Sequence, residues 1–213
     1  MNVSFLFLLA LGMTLPGKAE DRTENPLHSP TLVLCLRPLR LAEQPGLSDA
    51  VESVKRLSSF SETQDGMSRR AVEALVFIFK DLFQKEQELT AAENALAKAE
   101  RKALAREQLA ERTETVGSPL SGPNPGLAAI YRKEAADLRG RAKRQNEAAL
   151  KMMKEKITAY NVSVAYFQSQ GSTEVVIALA SSLFAIIDRH LPGFDFKPTV
   201  SREWIEKQKR VEA

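Results

Sequence analysis

The sequence has little of what enzymes and metalloproteins usually need. It contains one cysteine and two histidines in 213 residues, which excludes an intrachain disulfide framework and leaves few ligands for a zinc site. Aromatic residues make up only 7% of the chain. No catalytic signature is present. We therefore expect no enzymatic activity, no catalytic residue, no cofactor and no metal site.

An excess of one charge is also missing. Thirty Lys and Arg residues stand against 27 Asp and Glu, a net charge of +3, which is too balanced for a polybasic arm. Ten glycines and ten prolines exclude a collagen-like or proline-rich protein. The hydrophobic fraction of 44% is too high for a disordered chain. These figures predict a folded protein of one or two domains.

The N-terminus has the pattern of an export signal. Val3–Leu15 is an uninterrupted apolar run, and Gly17 and Ala19 provide small residues at positions −3 and −1 before Glu20. The run is shorter than the 20 or so residues that cross a bilayer. We therefore predict a signal peptide over residues 1–19 and an exported protein, secreted or periplasmic. A buried N-terminal helix is the alternative.

Residues 20–47 read as an irregular segment. It contains Thr31–Leu41, whose residues favour a strand, but Pro38 interrupts the run and permits at most a short edge strand. Cys35 lies between two leucines. We expect it to be a buried, unreactive thiol, since a buried free cysteine behaves as a small hydrophobic residue.

The rest of the chain predicts an all-α domain over residues 48–213. Two long stretches, 68–115 and 125–168, are rich in strong helix formers and are separated by a Pro- and Gly-rich breaker. Asn124 is placed to cap the second stretch and Ser172 the helix after it. Shorter helices are expected over 49–60, 173–190 and 199–213.

A short connection between two long helices predicts a long antiparallel hairpin, like a coiled coil. If the chain folds back near residue 121, the apolar seams of the two helices meet in register. The expected pairs are Leu89 with Met153, Leu82 with Tyr160, Phe79 with Val164, and Leu75 with Phe167. Beyond Leu89 the seam of the first helix consists mainly of alanine.

The large side chains are concentrated at the base of this hairpin and in the C-terminal third. We therefore expect a thin stalk over residues 84–151 and a small helical head formed by residues 48–83 and 152–213. Val175–Ile187 is apolar on all sides, which indicates either a core helix or a membrane helix. Its 13 residues are too few to cross a bilayer, so burial in the head is expected.

A basic cluster in the second arm of the hairpin is the main candidate site. It consists of Arg132, Lys133, Arg139, Arg141, Lys143 and Arg144. These side chains would either bind an anionic membrane surface or another polyanion, or pair with Glu107, Glu111 and Glu114 of the first arm. We favour the pairing. Tyr131 is the only nearby aromatic residue, which argues against nucleic acid because base stacking needs aromatic rings.

Two other motifs have structural explanations. Asp188, Arg189 and His190 resemble a catalytic cluster, but they end a helix, where basic side chains interact favourably with the helix dipole. Asn161-Val162-Ser163 matches a glycosylation sequon inside a predicted helix.

The sequence thus favours an exported, non-enzymatic helical protein that makes protein–protein contacts or self-associates through a coiled-coil stalk. The alternative is a peripheral membrane or polyanion binder acting through residues 132–144. An enzyme with its site in the head is the least favoured hypothesis.

Overall fold

The computed structural model describes residues 25–42, 45–116 and 122–211, so the predicted signal peptide lies outside the described residues. A single 3-10 turn, Pro26–His28, precedes six α-helices in the described part of the chain. These are α1 Pro30–Leu41, α2 Leu47–Glu62, α3 Gly66–Thr115, α4 Pro125–Ser169, α5 Thr173–His190 and α6 Arg202–Val211. The described residues contain no strand, and α3 packs against α4 as a hairpin. The all-α class and the antiparallel helical hairpin are confirmed.

The strand prediction for Thr31–Leu41 is wrong, because this stretch forms α1. The segment expected to be irregular therefore contains a helix of 12 residues. Its N-terminus is capped by Ser29, whose hydroxyl accepts a hydrogen bond from the Thr31 N–H at 3.3 Å. The buried side chains recur at helical spacing. They are Leu32, Cys35, Leu36 and Leu39.

Pro38 lies inside α1, where it has no N–H to donate to the carbonyl of Leu34. That carbonyl instead accepts a hydrogen bond from the guanidinium of Arg56 on α2, at 3.3 Å. A long-range side chain therefore replaces the helix bond that proline removes. This replacement explains how α1 continues through Pro38, and nothing local in the sequence reveals it.

The predicted cap of α4 is confirmed. The side chain of Asn124 accepts a hydrogen bond from the Leu127 N–H at 3.0 Å, and Pro125 takes the first helical position. Ser172 does precede α5, but its hydroxyl makes no capping bond. It is buried with no hydrogen-bond partner among the described residues.

The chain divides into two compact units. One comprises the described residues up to 84 together with those from 154 onward, and the other comprises the described residues between 85 and 153. In the first unit every residue of α5 from Val175 to Ile187 is buried, as predicted. Helices α1 and α6 both pack against α5. This unit therefore holds a conventional helical core.

The antiparallel register of α3 and α4 agrees with the expected one. All eight side chains of the predicted pairs are buried. In the first unit, Asp81 on α3 accepts a hydrogen bond from the Tyr160 hydroxyl of α4 and pairs with Lys156 at 2.8 Å. Burial, together with the neighbouring carboxylate, raises the pKa of Tyr160.

A largely buried ion pair joins α1 to α5. The Nε of Arg40 lies 2.5 Å from Oε2 of Glu174, and the two side chains are only 10% and 21% exposed. Removing one partner of such a pair is strongly destabilising, because the remaining charge has lost the attraction that offset its desolvation. The pair therefore constrains how α1 sits on α5.

We predict that Glu174→Gln lowers the free energy of unfolding by about 3 kcal/mol, because Arg40 stays charged in a mostly dry site. The matched control is Glu73→Gln, which removes an exposed pair with Arg69 and should change the unfolding free energy by at most about 0.5 kcal/mol. Urea denaturation followed by circular dichroism measures both. Equal losses in the two variants would contradict this account.

Candidate functional site

In the hairpin unit, residues 85–153, helices α3 and α4 meet along a seam of small side chains. The buried alanines are Ala99, Ala103 and Ala110 of α3, and Ala128, Ala135 and Ala142 of α4. The alanine seam of α3 was expected from the sequence. The α4 series was missed, although its strict seven-residue spacing is a visible signal. Because alanine buries little apolar area, this seam contributes much less than a leucine seam would.

One broad face of the hairpin unit carries glutamates at a seven-residue repeat. Glu93, Glu100, Glu107 and Glu114 share this side of α3. Glu107 is bound by both terminal nitrogens of Arg139, one of them at 2.9 Å, and Glu114 is bound by Arg132. We call this surface the glutamate face. It consists of these four glutamates with Glu111, Arg132, Arg139 and Lys143, which stands four residues after Arg139 on α4.

Hydrogen bonds from the arginines set the ionisation of this face. The Arg139 guanidinium lowers the pKa of Glu107, and the Arg132 guanidinium lowers that of Glu114. In return, Glu107 raises the pKa of Arg139, and Glu114 raises the pKa of Arg132. The second broad face of the unit has a different composition.

Residues two positions apart on a helix point in nearly opposite directions, since each residue turns about 100°. Lys98 and Lys102 both stand two positions from Glu100 and so lie on the opposite side of α3. On that side Arg106 packs over the Tyr131 ring of α4, 5.6 Å from its centroid, and pairs with Glu134 at 3.2 Å. We call this surface the lysine face. It consists of Lys98, Lys102, Arg106, Leu109, Tyr131, Glu134 and Arg141.

The six basic residues predicted as one anionic contact do not form one surface. Arg132 and Arg139 lie on the glutamate face and are paired there with α3, as the favoured interpretation expected. The Nζ of Lys143 lies 4.0 Å from Oε1 of Glu147, on the same helix. For Lys133, Arg141 and Arg144, no ion pair is found within the described part of the chain. The cluster is therefore divided between different sides of α4.

Each broad face also exposes a leucine. Leu104 stands seven residues before Glu111 on the glutamate face and is 53% exposed. Leu109 stands seven residues after Lys102 on the lysine face and is 38% exposed. Each face thus combines an accessible apolar side chain with charges mainly of one sign.

The residues that resembled a catalytic cluster are engaged in structural contacts. Asp188 forms a two-pronged pair with Arg202 of α6, at 2.7 and 2.8 Å, and these hydrogen bonds lower its pKa. The guanidinium of Arg189 donates to the carbonyl of Pro45 at 2.9 Å. Arg202 also lies over the Phe184 ring, 4.3 Å from its centroid. These residues hold α6 and the α1–α2 connection against α5.

Two remaining sequence candidates have clear surroundings. The Asn161 side chain donates to the Lys197 carbonyl at 3.0 Å and accepts from the Thr199 N–H at 2.9 Å. The sequon asparagine thus connects α4 to the segment that precedes α6. Cys35 is a free, buried thiol, as predicted, and burial raises its pKa.

Other kinds of site find little support in the described ranges. Among those residues no group of three potential ligands gathers as a metal site would require. Within the same ranges, none of the helices combines the length and apolar character needed to cross a bilayer. No family model, curated protein or solved structure matches the chain. The two faces of the hairpin unit, with their opposite charges, are the candidate functional surfaces.

We predict that acid weakens the hairpin unit. A carboxylate with a lowered pKa stabilises the folded state above the ordinary value of 4.5, and this contribution disappears as the pH falls through the lowered pKa. The melting temperature should therefore fall between about pH 5 and pH 3, and it should fall less steeply in the variant Glu107→Gln, Glu114→Gln.

Thermal melts followed by circular dichroism across this pH range provide the measurement. Glu155→Gln is the matched control, because Glu155 is exposed and forms no ion pair with any described residue. The control should keep the pH dependence of the wild type. If the double variant also keeps the wild-type pH dependence, the ion pairs of Glu107 and Glu114 are not the source of the acid sensitivity.

Proposed function

We propose that the protein is an exported, non-enzymatic helical protein that makes protein–protein contacts, including self-association, through its hairpin unit. The observation that carries this proposal is the composition of the seam. Apart from Leu89 and Met153 at its end, the buried apolar residues described in this unit are six alanines, and exposed ion pairs add only about 0–1 kcal/mol each. A partner on a broad face would add the apolar burial that the seam lacks.

The exposed leucines indicate where such a partner would lie. Leu104 and Leu109 are more than a third exposed on opposite faces of α3. Burying a leucine side chain contributes about 1.5–3 kcal/mol. Covering both faces would therefore add part of this contribution at each leucine, since both side chains are already partly buried. The first unit, in contrast, has its own core around α5.

We expect the protein to associate in a concentration-dependent way, measured by sedimentation equilibrium. Replacing Leu104→Gln and Leu109→Gln should weaken association at least about tenfold, because the apolar burial in the contact is lost. The matched control is Leu34→Gln with Leu41→Gln on α1, two leucines of equal or greater exposure.

The control should associate like the wild type. A wild-type protein that stays monomeric at every concentration would contradict self-association. Equal weakening in both variants would place the contact outside the hairpin unit.

A second candidate function is binding of an anionic membrane surface or another polyanion. It is supported by Lys133, Arg141 and Arg144, which are exposed and form no ion pair inside the described ranges. It is weakened by Arg132 and Arg139, whose guanidinium groups already bind carboxylates. We therefore place it second.

For export, we predict a mature chain that begins at Glu20, because small residues at −3 and −1 direct signal-peptide cleavage. Intact mass and N-terminal sequencing of protein expressed from the full gene measure this. Ala19→Arg should block cleavage, and Lys18→Arg, at a position the cleavage rule leaves open, should not. Recovery of the native chain with Met1 attached would refute the signal peptide.

A further inference from the structure

The two broad faces of the hairpin unit carry opposite charge over the same stretch of α3. Glu100, Glu107 and Glu111 lie on one face, and Lys98, Lys102 and Arg106 lie on the other. The stretch from residue 98 to residue 111 is about 20 Å long. The two sets therefore occupy the same height along the helix.

Each face keeps a surplus of its own charge after internal pairing. On the glutamate face Arg139 is shared between Glu107 and Glu100, the latter at 3.8 Å. Arg132 forms an ion pair with Glu114, and Glu111 has no ion pair within the described ranges. Within the same ranges, Arg106 is the only basic residue of the lysine face that pairs with an acidic one, Glu134.

Like faces repel and unlike faces attract. A two-fold symmetric dimer brings the same face of both copies together, so it would place glutamates against glutamates or lysines against lysines. A contact between the glutamate face of one copy and the lysine face of the next places opposite charges together. It also covers Leu104 of one copy and Leu109 of the other.

We propose that a second copy of this chain docks its lysine face on the glutamate face of the first, without axial displacement. This inference rests on the proposed function and specifies the partner and its orientation. Because the two faces lie on opposite sides of the hairpin unit, each docked copy leaves both kinds of face available at the ends. Such a head-to-tail contact produces rows or closed rings rather than dimers.

The contact is electrostatic as well as apolar, so salt should weaken it. The screening length falls from about 10 Å at 0.1 M salt to about 3 Å at 1 M. We expect the association constant to fall about tenfold or more over this range. The wild type should form species larger than dimers at low salt.

The decisive experiment mixes two variants that each weaken one face. Glu100→Gln with Glu111→Gln removes two negative charges from the glutamate face, and Lys98→Gln with Lys102→Gln removes two positive charges from the lysine face. All four side chains are exposed, and glutamine is a good helix former, so both variants should fold. Each alone should associate about tenfold more weakly than the wild type, since two favourable charge contacts are lost.

An equimolar mixture of the two variants should form one-to-one dimers and nothing larger, because only one intact pair of complementary faces remains. If the wild type associates but the mixture does no better than either variant alone, head-to-tail docking is wrong and the proposed self-association stands. If the wild type does not associate at low salt, head-to-tail docking and self-association both fail.

A vesicle experiment separates the second copy from a membrane as the partner of the lysine face. Wild type and the Lys98→Gln, Lys102→Gln variant are each mixed with neutral phosphatidylcholine vesicles and with vesicles containing phosphatidylserine. We expect no binding to either. Salt-sensitive binding to the anionic vesicles that the variant loses would assign the lysine face to a membrane surface and overturn docking of a second copy.

Discussion

A helix that is apolar around its whole circumference has to be covered on every side, and α5 imposes this constraint on the first unit. All its residues from Val175 to Ile187 are buried. The covering elements are fixed by polar contacts at the ends of α5. Arg40 reaches Glu174 near its start, while Asp188 and Arg189 near its end hold Arg202 and the Pro45 carbonyl. The apolar stretch thus supplies the core, and the charged ends of the helix orient its neighbours.

The hairpin unit lacks such a constraint, and this difference bears on function. Its seam is made of alanines, whose burial contributes little, while its specific contacts are ion pairs on the surface. An acidic series with a seven-residue repeat on α3 meets arginines with the same repeat on α4. These ion pairs determine which residues of the two helices lie opposite each other. They add little to the stability of the helix pair, because they are exposed to solvent. A surface with well-defined register and modest internal stability is suited to gaining stability from a partner.

The sequence predicts the fold where one property of a segment dominates. The absence of breakers in α3, the Asn124-Pro125 start of α4 and the all-round apolar character of α5 each led to the right element. It misleads at α1, where Pro38 argues locally against a helix. The compensation comes from Arg56, which is 22 residues from Leu34 in the sequence. Its guanidinium donates to the Leu34 carbonyl, which Pro38 leaves without a helix partner. Ser172 shows the reverse case, since a good capping residue stands at the right position and makes no capping bond.

The candidate site was harder to predict for a related reason. In the sequence, Arg139, Arg141 and Lys143 read as one basic cluster, because they are close along the chain. On a helix, residues two positions apart face nearly opposite ways, so Arg141 lies away from the other two. Arg139 is bound to Glu107, and Lys143 shares its side of α4. Counting charged residues along the sequence therefore overestimates how many of them share one surface. Counting them by helix face shows which ones do. Counted by face, the charges of the hairpin unit give an acidic and a basic surface on its opposite sides, and this arrangement would allow identical copies to bind head to tail.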